Sequence, residues 1–391
     1  MAARCLMVIF LCCPTIAVGQ VTGRFFLQKD TFAPGEPVFL YFEATNSGTE
    51  TQNVYRADPY SFCSGYQIKV STDPAPTSSC APLGGGGSCF SSYAPLEPGQ
   101  SRAERILLNY DHKIGADGSY DVQAVQALSY APAGQVYFSA AKTSLEVRQQ
   151  LHFRVDSSAS LDDITLESWV ELLRSADPPT RREAARTLAS LAPKSLEDLL
   201  MGFADNTEFR EWAPLAFHRL NTSRSIAALA ALLHKTELGT YEHSMSAKFL
   251  AETGDPQWFP LLLEVAQRDM KNGNYVYNAA ESGEDKMLPV LLPLLRGTDE
   301  DSRQIAISAL AYTGSPAAIP ILLNLLRHAD SETAERAVYG LRLLTHRTIT
   351  SVNSGDNQQW QYPRWSQWWD REGSRAHVFK AAECGEFTPL D

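Results

Sequence analysis

Gly254-Asp255-Pro256-Gln257-Trp258-Phe259-Pro260-Leu261-Leu262-Leu263, Gly283-Glu284-Asp285-Lys286-Met287-Leu288-Pro289-Val290-Leu291-Leu292 and Gly314-Ser315-Pro316-Ala317-Ala318-Ile319-Pro320-Ile321-Leu322-Leu323 are three copies of one pattern. In each, a glycine stands six residues before a proline that opens an aliphatic run, and the glycines are 29 (283 − 254) and 31 (314 − 283) residues apart. A fixed period of that length marks a repeat array. Glycine supplies the left-handed residue that ends one helix, and proline sits in the first turn of the next, where its missing N–H is harmless. Each unit is therefore a pair of antiparallel helices. The second helix of a pair carries small and aliphatic residues at helical spacing, as in Ile305, Ala306, Ala309 and Leu310, or Ala334, Val338 and Leu341. One pair cannot bury its apolar face alone, so neighbours stack into a curved rod.

Weaker copies start at Leu166, Leu196 and Ile226, which makes about six helical pairs over residues 164–348. The array resembles HEAT repeats, in particular the short bacterial HEAT-like type that also occurs in phycobilin lyases. That resemblance implies an armadillo-like α-solenoid whose second helices line a concave face that binds other proteins. Its lyase branch implies an enzyme alternative. Aligning on the glycines puts Lys248, Tyr277, Ser308 and Tyr339 at equivalent outward positions, with Glu252, Glu281 and Tyr312 one turn on. Tyrosines there are good binding anchors, because they bury much area with few rotors. The bland alternative is that they pad a solvated face.

Upstream, over residues 20–155, the period is two, with turn residues between runs at 25–29, 38–44, 66–71, 105–109, 120–128 and 136–147. Such alternation marks half-buried strands of antiparallel sheets, and seven or so strands in this length predict an Ig-like β-sandwich. Pro34-Gly35-Glu36-Pro37 is a turn opening an apolar strand, and Asp117-Gly118-Ser119-Tyr120 has the form of a tyrosine corner. These turns, with Asn46-Ser47-Gly48 and Leu96-Glu97-Pro98-Gly99, resemble the Ig-like domains of exported bacterial proteins, including the BsuPI-type proteinase-inhibitor family. The resemblance implies a scaffold, with inhibition of a proteinase through the sandwich loops as an alternative function. Residues 156–163 are a polar hinge. Residues 349–391 form a tail with Trp360, Trp365, Trp368 and Trp369, expected to cap the last repeat.

Residues 1–19 have the pattern of a cleavable signal: Arg4, an apolar stretch too short to span a bilayer, and Ala17-Val18-Gly19 as the cleavage site. Export to a periplasm or beyond is the expectation, with no membrane span in the remainder. Removing Arg4 leaves 33 basic and 45 acidic residues, a balance of −12 (33 − 45). That argues against nucleic acid and anionic membranes as partners. Of the cysteines outside the signal, Cys63, Cys80, Cys89 and Cys384, an oxidising compartment favours disulfides, and closing the short loop between Cys80 and Cys89 costs least chain entropy.

Catalytic motifs are missing. The 8 histidines show no ligand spacing, there is no G-x-S-x-G elbow or P-loop, and the run at 84–87 lacks the lysine and helix of a phosphate cradle. The acidic groups Glu281 with Glu284, and Asp299 with Glu300 and Asp301, are assigned to helix N-termini as caps. The sequence thus predicts a multidomain α and β protein that is a non-catalytic, extracytoplasmic scaffold or adaptor for a protein or peptide, with no cofactor and no metal.

Overall fold

The computed structural model describes residues 21–57, 60, 65–72, 91–133, 143–159, 166–328, 330–349, 358–380 and 388–390. Residues 1–19, expected to be a signal, and Cys63, Cys80, Cys89 and Cys384 lie outside them. Within them the chain is a β-sandwich followed by a helical repeat array.

Among the described residues nine strands build the sandwich: β1 (Val21–Leu27), β2 (Thr31–Phe32), β3 (Phe39–Asn46), β4 (Gln52–Ala57), β5 (Tyr66–Thr72), β6 (Ser91–Leu96), β7 (Ser101–Leu107), β8 (Gly118–Pro132) and β9 (Thr143–Val155). One sheet has the order β1-β3-β7; the other runs β2-β9-β8-β4-β6, with β5 also paired to β8. Alternation does its work most clearly in β8, where Tyr120, Val122 and Ala124 are buried while Asp121 and Gln123 are exposed. Phe25, Leu40 and Phe42 from one sheet meet Val122, Leu128 and Phe153 from the other in a single core. The Tyr120 hydroxyl donates to the Ala116 carbonyl at 2.9 Å, the corner bond expected of it, and its ring stacks on Phe153.

The strand boundaries shift in places. The first strand covers 21–27 instead of 25–29, residues 108–110 form a 3-10 turn after β7, and the last strand runs on to Val155. Strands β2, β4 and β6 lie outside the predicted runs. Pro95 interrupts the pattern of β6, and it is tolerated because β6 is the edge of its sheet.

Six helical pairs follow: α1 (Leu166–Leu172) with α2 (Pro178–Leu191), α3 (Glu197–Met201) with α4 (Ala213–Leu220), α5 (Ser223–Lys235) with α6 (Tyr241–Glu252), α7 (Phe259–Arg268) with α8 (Gly273–Gly283), α9 (Leu288–Leu295) with α10 (Glu300–Tyr312), and α11 (Ala318–His328) with α12 (Ser331–Thr345). Side-chain caps start most of the second helices, from Asp177, Thr240, Asn272, Asp299 and Asp330. Successive second helices pack on one another in a continuous layer. Alanines make that approach possible: Ala184, Ala216, Ala247, Ala280, Ala309 and Ala337 are all 0% exposed.

A residue with positive φ follows every second helix, at Ala192, Asn221, Gly254, Glu284, Gly314 and His346. The glycine rule therefore holds at 254 and 314 and fails at 283, where Glu284 takes the positive φ. Gly283 is required for space instead: a β-carbon there would sit 2.3 Å from the Phe259 ring.

Both ends of the array are covered. At the start, Phe39 and Leu107 of the sandwich join the apolar cluster of Trp169, Leu173 and Ala184. Arg105 lies over Phe39 and its Nε donates to Glu183 at 2.9 Å. Arg186 lies over both Tyr60 and Trp212, at 4.0 and 4.8 Å. At the far end α13 (Tyr362–Glu372) packs on α11 with Trp365 and Trp368 buried, while Trp360 stays 36% exposed. The tail then stacks Phe379 on His346 and pairs Thr388 and Pro389 with Arg347 and Thr348.

Candidate functional site

The second helices share one face, and the residues singled out by the glycine alignment gather on it. Lys248 and Glu252 are one turn apart on α6, Tyr277 and Glu281 on α8, Ser308 and Tyr312 on α10, and Tyr339 lies on α12. The reason is periodic: residues four apart on a helix are neighbours, and near-equal offsets from the positive-φ residue that closes each helix, six for Lys248 and Ser308 and seven for Tyr277 and Tyr339, put them close to register across stacked helices. Lys248 Nζ is 3.7 Å from Glu252 Oε1. Tyr277 and Tyr312 are half-buried and lie flat on each other, ring centroids 4.7 Å apart and planes 5° from parallel. Tyr339 is 39% exposed, and Ser308 is half-buried.

The row extends beyond the predicted residues. Arg219, two residues before the left-handed Asn221, holds the place on α4 that Glu252 holds on α6, and its Nη2 donates to the Tyr110 carbonyl of the sandwich at 2.9 Å. His218 beside it stacks on Phe249 at 4.3 Å. The sandwich turn with Asp111, His112 and Lys113 closes one end of the row, since Lys113 acts on both His218 and Glu252. Lys380 from the tail borders the other side, pairing with Glu284 at 2.5 Å. Aligning on glycine missed α4, because its left-handed residue is an asparagine. Asparagine is itself the second-best residue for that conformation, so the signal was present.

The electrostatics are uneven along the row. Burial, then Arg219, Lys113 and Lys248, push His218 down to about 4, so its 3.6 Å contact with Glu252 involves a neutral imidazole and is no ion pair. Burial raises the Glu252 carboxyl too, against the pull of Lys248, Lys113 and Arg219. Glu281 is pushed up to about 7, first by burial and then by the charge of Glu252, with Lys248 and Lys380 opposing. Burial and the neighbouring Tyr339, Tyr277 and Glu281 raise the Tyr312 phenol. Glu281 is not at a helix N-terminus as expected: it lies in the last turn of α8, on the shared face. Asp299 is a cap as expected, accepting from the Ser302 backbone N–H at 3.2 Å.

Among the described residues no cluster of His, Cys, Asp and Glu is arranged to hold a metal ion, and no helix is long and apolar enough to cross a membrane. The arrangement offers a binding surface with aromatic, acidic and basic parts. The Cys80–Cys89 pairing and the loop that contains it fall outside the described residues.

No curated protein matches the chain. Among solved structures, it is similar to native alpha-2-macroglobulin of E. coli, seen by cryo-EM, at 9% identity and a TM-score of 0.19, over 83% of this chain and 25% of that one. The chain thus spans about a quarter of that structure's length, and a likeness this faint carries no argument. The family of HEAT repeats matches residues 166–243 and 288–348. Helices α6 to α8 continue the same stacking across the gap between the two matches. The helical half of the chain is a repeat array that matches HEAT repeats.

Proposed function

We propose that this chain is a non-catalytic, extracytoplasmic scaffold that holds a protein or peptide partner on the concave face formed by its second helices. One observation carries the reading: Lys248, Glu252, Tyr277, Glu281, Tyr312 and Tyr339, from four successive second helices, occupy one continuous surface next to the sandwich. HEAT repeats in general serve protein interaction, and a surface rich in tyrosine with separated charges suits a polypeptide ligand. The sandwich is fastened to the start of the array through Arg105, Arg186 and Arg219, so it acts as a fixed wall and orients what the array holds. The apolar segment at residues 1–19 supports an extracytoplasmic location.

The test is crosslinking capture from the cell-envelope fraction with the native chain and with a variant carrying Lys248→Ala, Tyr277→Ala, Ser308→Ala and Tyr339→Ala. A partner held by the first and lost by the second supports the reading. Equal capture by both moves the site off this face.

A further inference from the structure

The geometry points to a guanidinium-accepting subsite at the middle of this face, where an arginine side chain of the partner segment lies on the Tyr277–Tyr312 stack with its edge on the Glu281 carboxylate. This rests on the scaffold reading and names the chemistry that the partner presents. The stack is flat and planar, and Glu281 is one turn beyond Tyr277 on the same helix face. It also acts electrostatically on Tyr312. A guanidinium is planar, stacks on aromatic rings and binds a carboxylate through parallel N–H groups, which an ammonium does not do.

The chain leaves this carboxylate unsatisfied. No described donor hydrogen-bonds Glu281, although it is half-buried. The two nearest lysines are directed to other acids, Lys248 to Glu252 and Lys380 to Glu284. A half-buried carboxylate without a partner is costly unless something neutralises it. Its raised proton affinity is the same fact seen from solution: the free protein neutralises Glu281 with a proton near neutrality, and a bound guanidinium takes over that task. The groups facing it are Glu252 and Lys248 from α6, Tyr277 on its own helix, Tyr312 from α10 and Lys380 from the tail.

The test titrates the full chain with N-acetyl-arginine amide, N-acetyl-lysine amide and N-acetyl-citrulline amide, read by saturation-transfer NMR. The arginine probe is expected to bind at about millimolar affinity, and the isosteric, uncharged citrulline at least tenfold more weakly. Glu281→Gln, which keeps size and fold, should cost the arginine probe about tenfold. With the carboxyl at about 7, arginine affinity should rise about tenfold from pH 6 to pH 8, and this rise should vanish in Glu281→Gln. Equal binding of citrulline or lysine, or an unaffected Glu281→Gln, overturns the subsite. Comparing envelope capture by the native chain and Glu281→Gln separates the two readings. A partner captured equally by both, with no arginine-probe preference, ends the subsite and leaves the scaffold. A Glu281-dependent arginine probe with no partner captured ends the scaffold and leaves the subsite.

Discussion

Tyr277 on α8 and Tyr312 on α10 lie face to face across the junction of two repeats, 4.7 Å between centroids. Each ring belongs to a different helical pair, so the stack is a contact between units and not within one. Repeat arrays derive stability from such nearest-neighbour terms. Tyr277→Ala and Tyr312→Ala are therefore expected to be non-additive, with a coupling of about 0.5–1.5 kcal/mol in a double-mutant cycle followed by urea unfolding. Additive losses would mean that the rings merely lie close.

The same face makes stability depend on pH from both sides. His218 is about 4 in the folded chain against 6.5 when unfolded. As pH falls below 6.5 the unfolded chain takes up this proton and the folded chain does not, so stability is lost between 6.5 and 4. Glu281 works the other way: its carboxyl is raised from 4.5 to about 7. The folded chain keeps that proton while the unfolded chain releases it, so the contribution is present below 4.5 and lost as pH rises through about 7. Urea midpoints measured across this range should fall less on the acid side in His218→Gln and less on the neutral side in Glu281→Gln.

Two glycines that look equivalent in the sequence should respond oppositely to the same substitutions. Gly254 has φ +66 and open space around it, so Gly254→Ala meets only backbone strain, about 1 kcal/mol. Gly254→Asn should recover most of that, since asparagine tolerates the left-handed region. Gly283 has ordinary φ but no room, and Gly283→Ala drives a β-carbon into Phe259, costing about 1–3 kcal/mol. Gly283→Asn should be worse still. Thermal midpoints of the four variants decide this, and a rescue of position 283 by asparagine would contradict it.

These glycines also show how far the sequence could be read. The period of about thirty and the proline positions were enough to place six helical pairs and to align Lys248, Tyr277, Ser308 and Tyr339 on one face, because helix geometry turns equal spacing into a shared surface. What spacing cannot express is proximity between chain-distant groups. That Glu281 has lost its usual solvation depends on how the neighbouring helices and the tail pack, and that Arg219 reaches the Tyr110 carbonyl depends on how the sandwich and array meet. A glycine also looks the same whether it is needed for its φ or for its missing side chain, and only Phe259 distinguishes position 283.

The meeting of the two domains carries the last prediction. Trp169, in the first helix of the array, is 3% exposed and lies 5.9 Å from Phe39 of the sandwich, in one apolar cluster with Leu107. Around it the contacts are charged at their edges: Arg105 with Glu183, Arg186 over Tyr60, and Arg219 on the Tyr110 carbonyl. A solenoid needs its open ends covered, and here the sandwich covers the first repeat as Trp365 and α13 cover the last. Trp169→Ala should cost about 3–5 kcal/mol and, by breaking the shared cluster, separate one unfolding transition into two. Trp365→Ala, at the opposite end, leaves the shared cluster intact and should lower the single transition without splitting it. Calorimetry of the two variants distinguishes them: a Trp169→Ala protein that still unfolds in one transition would mean that the charged rim alone couples the domains.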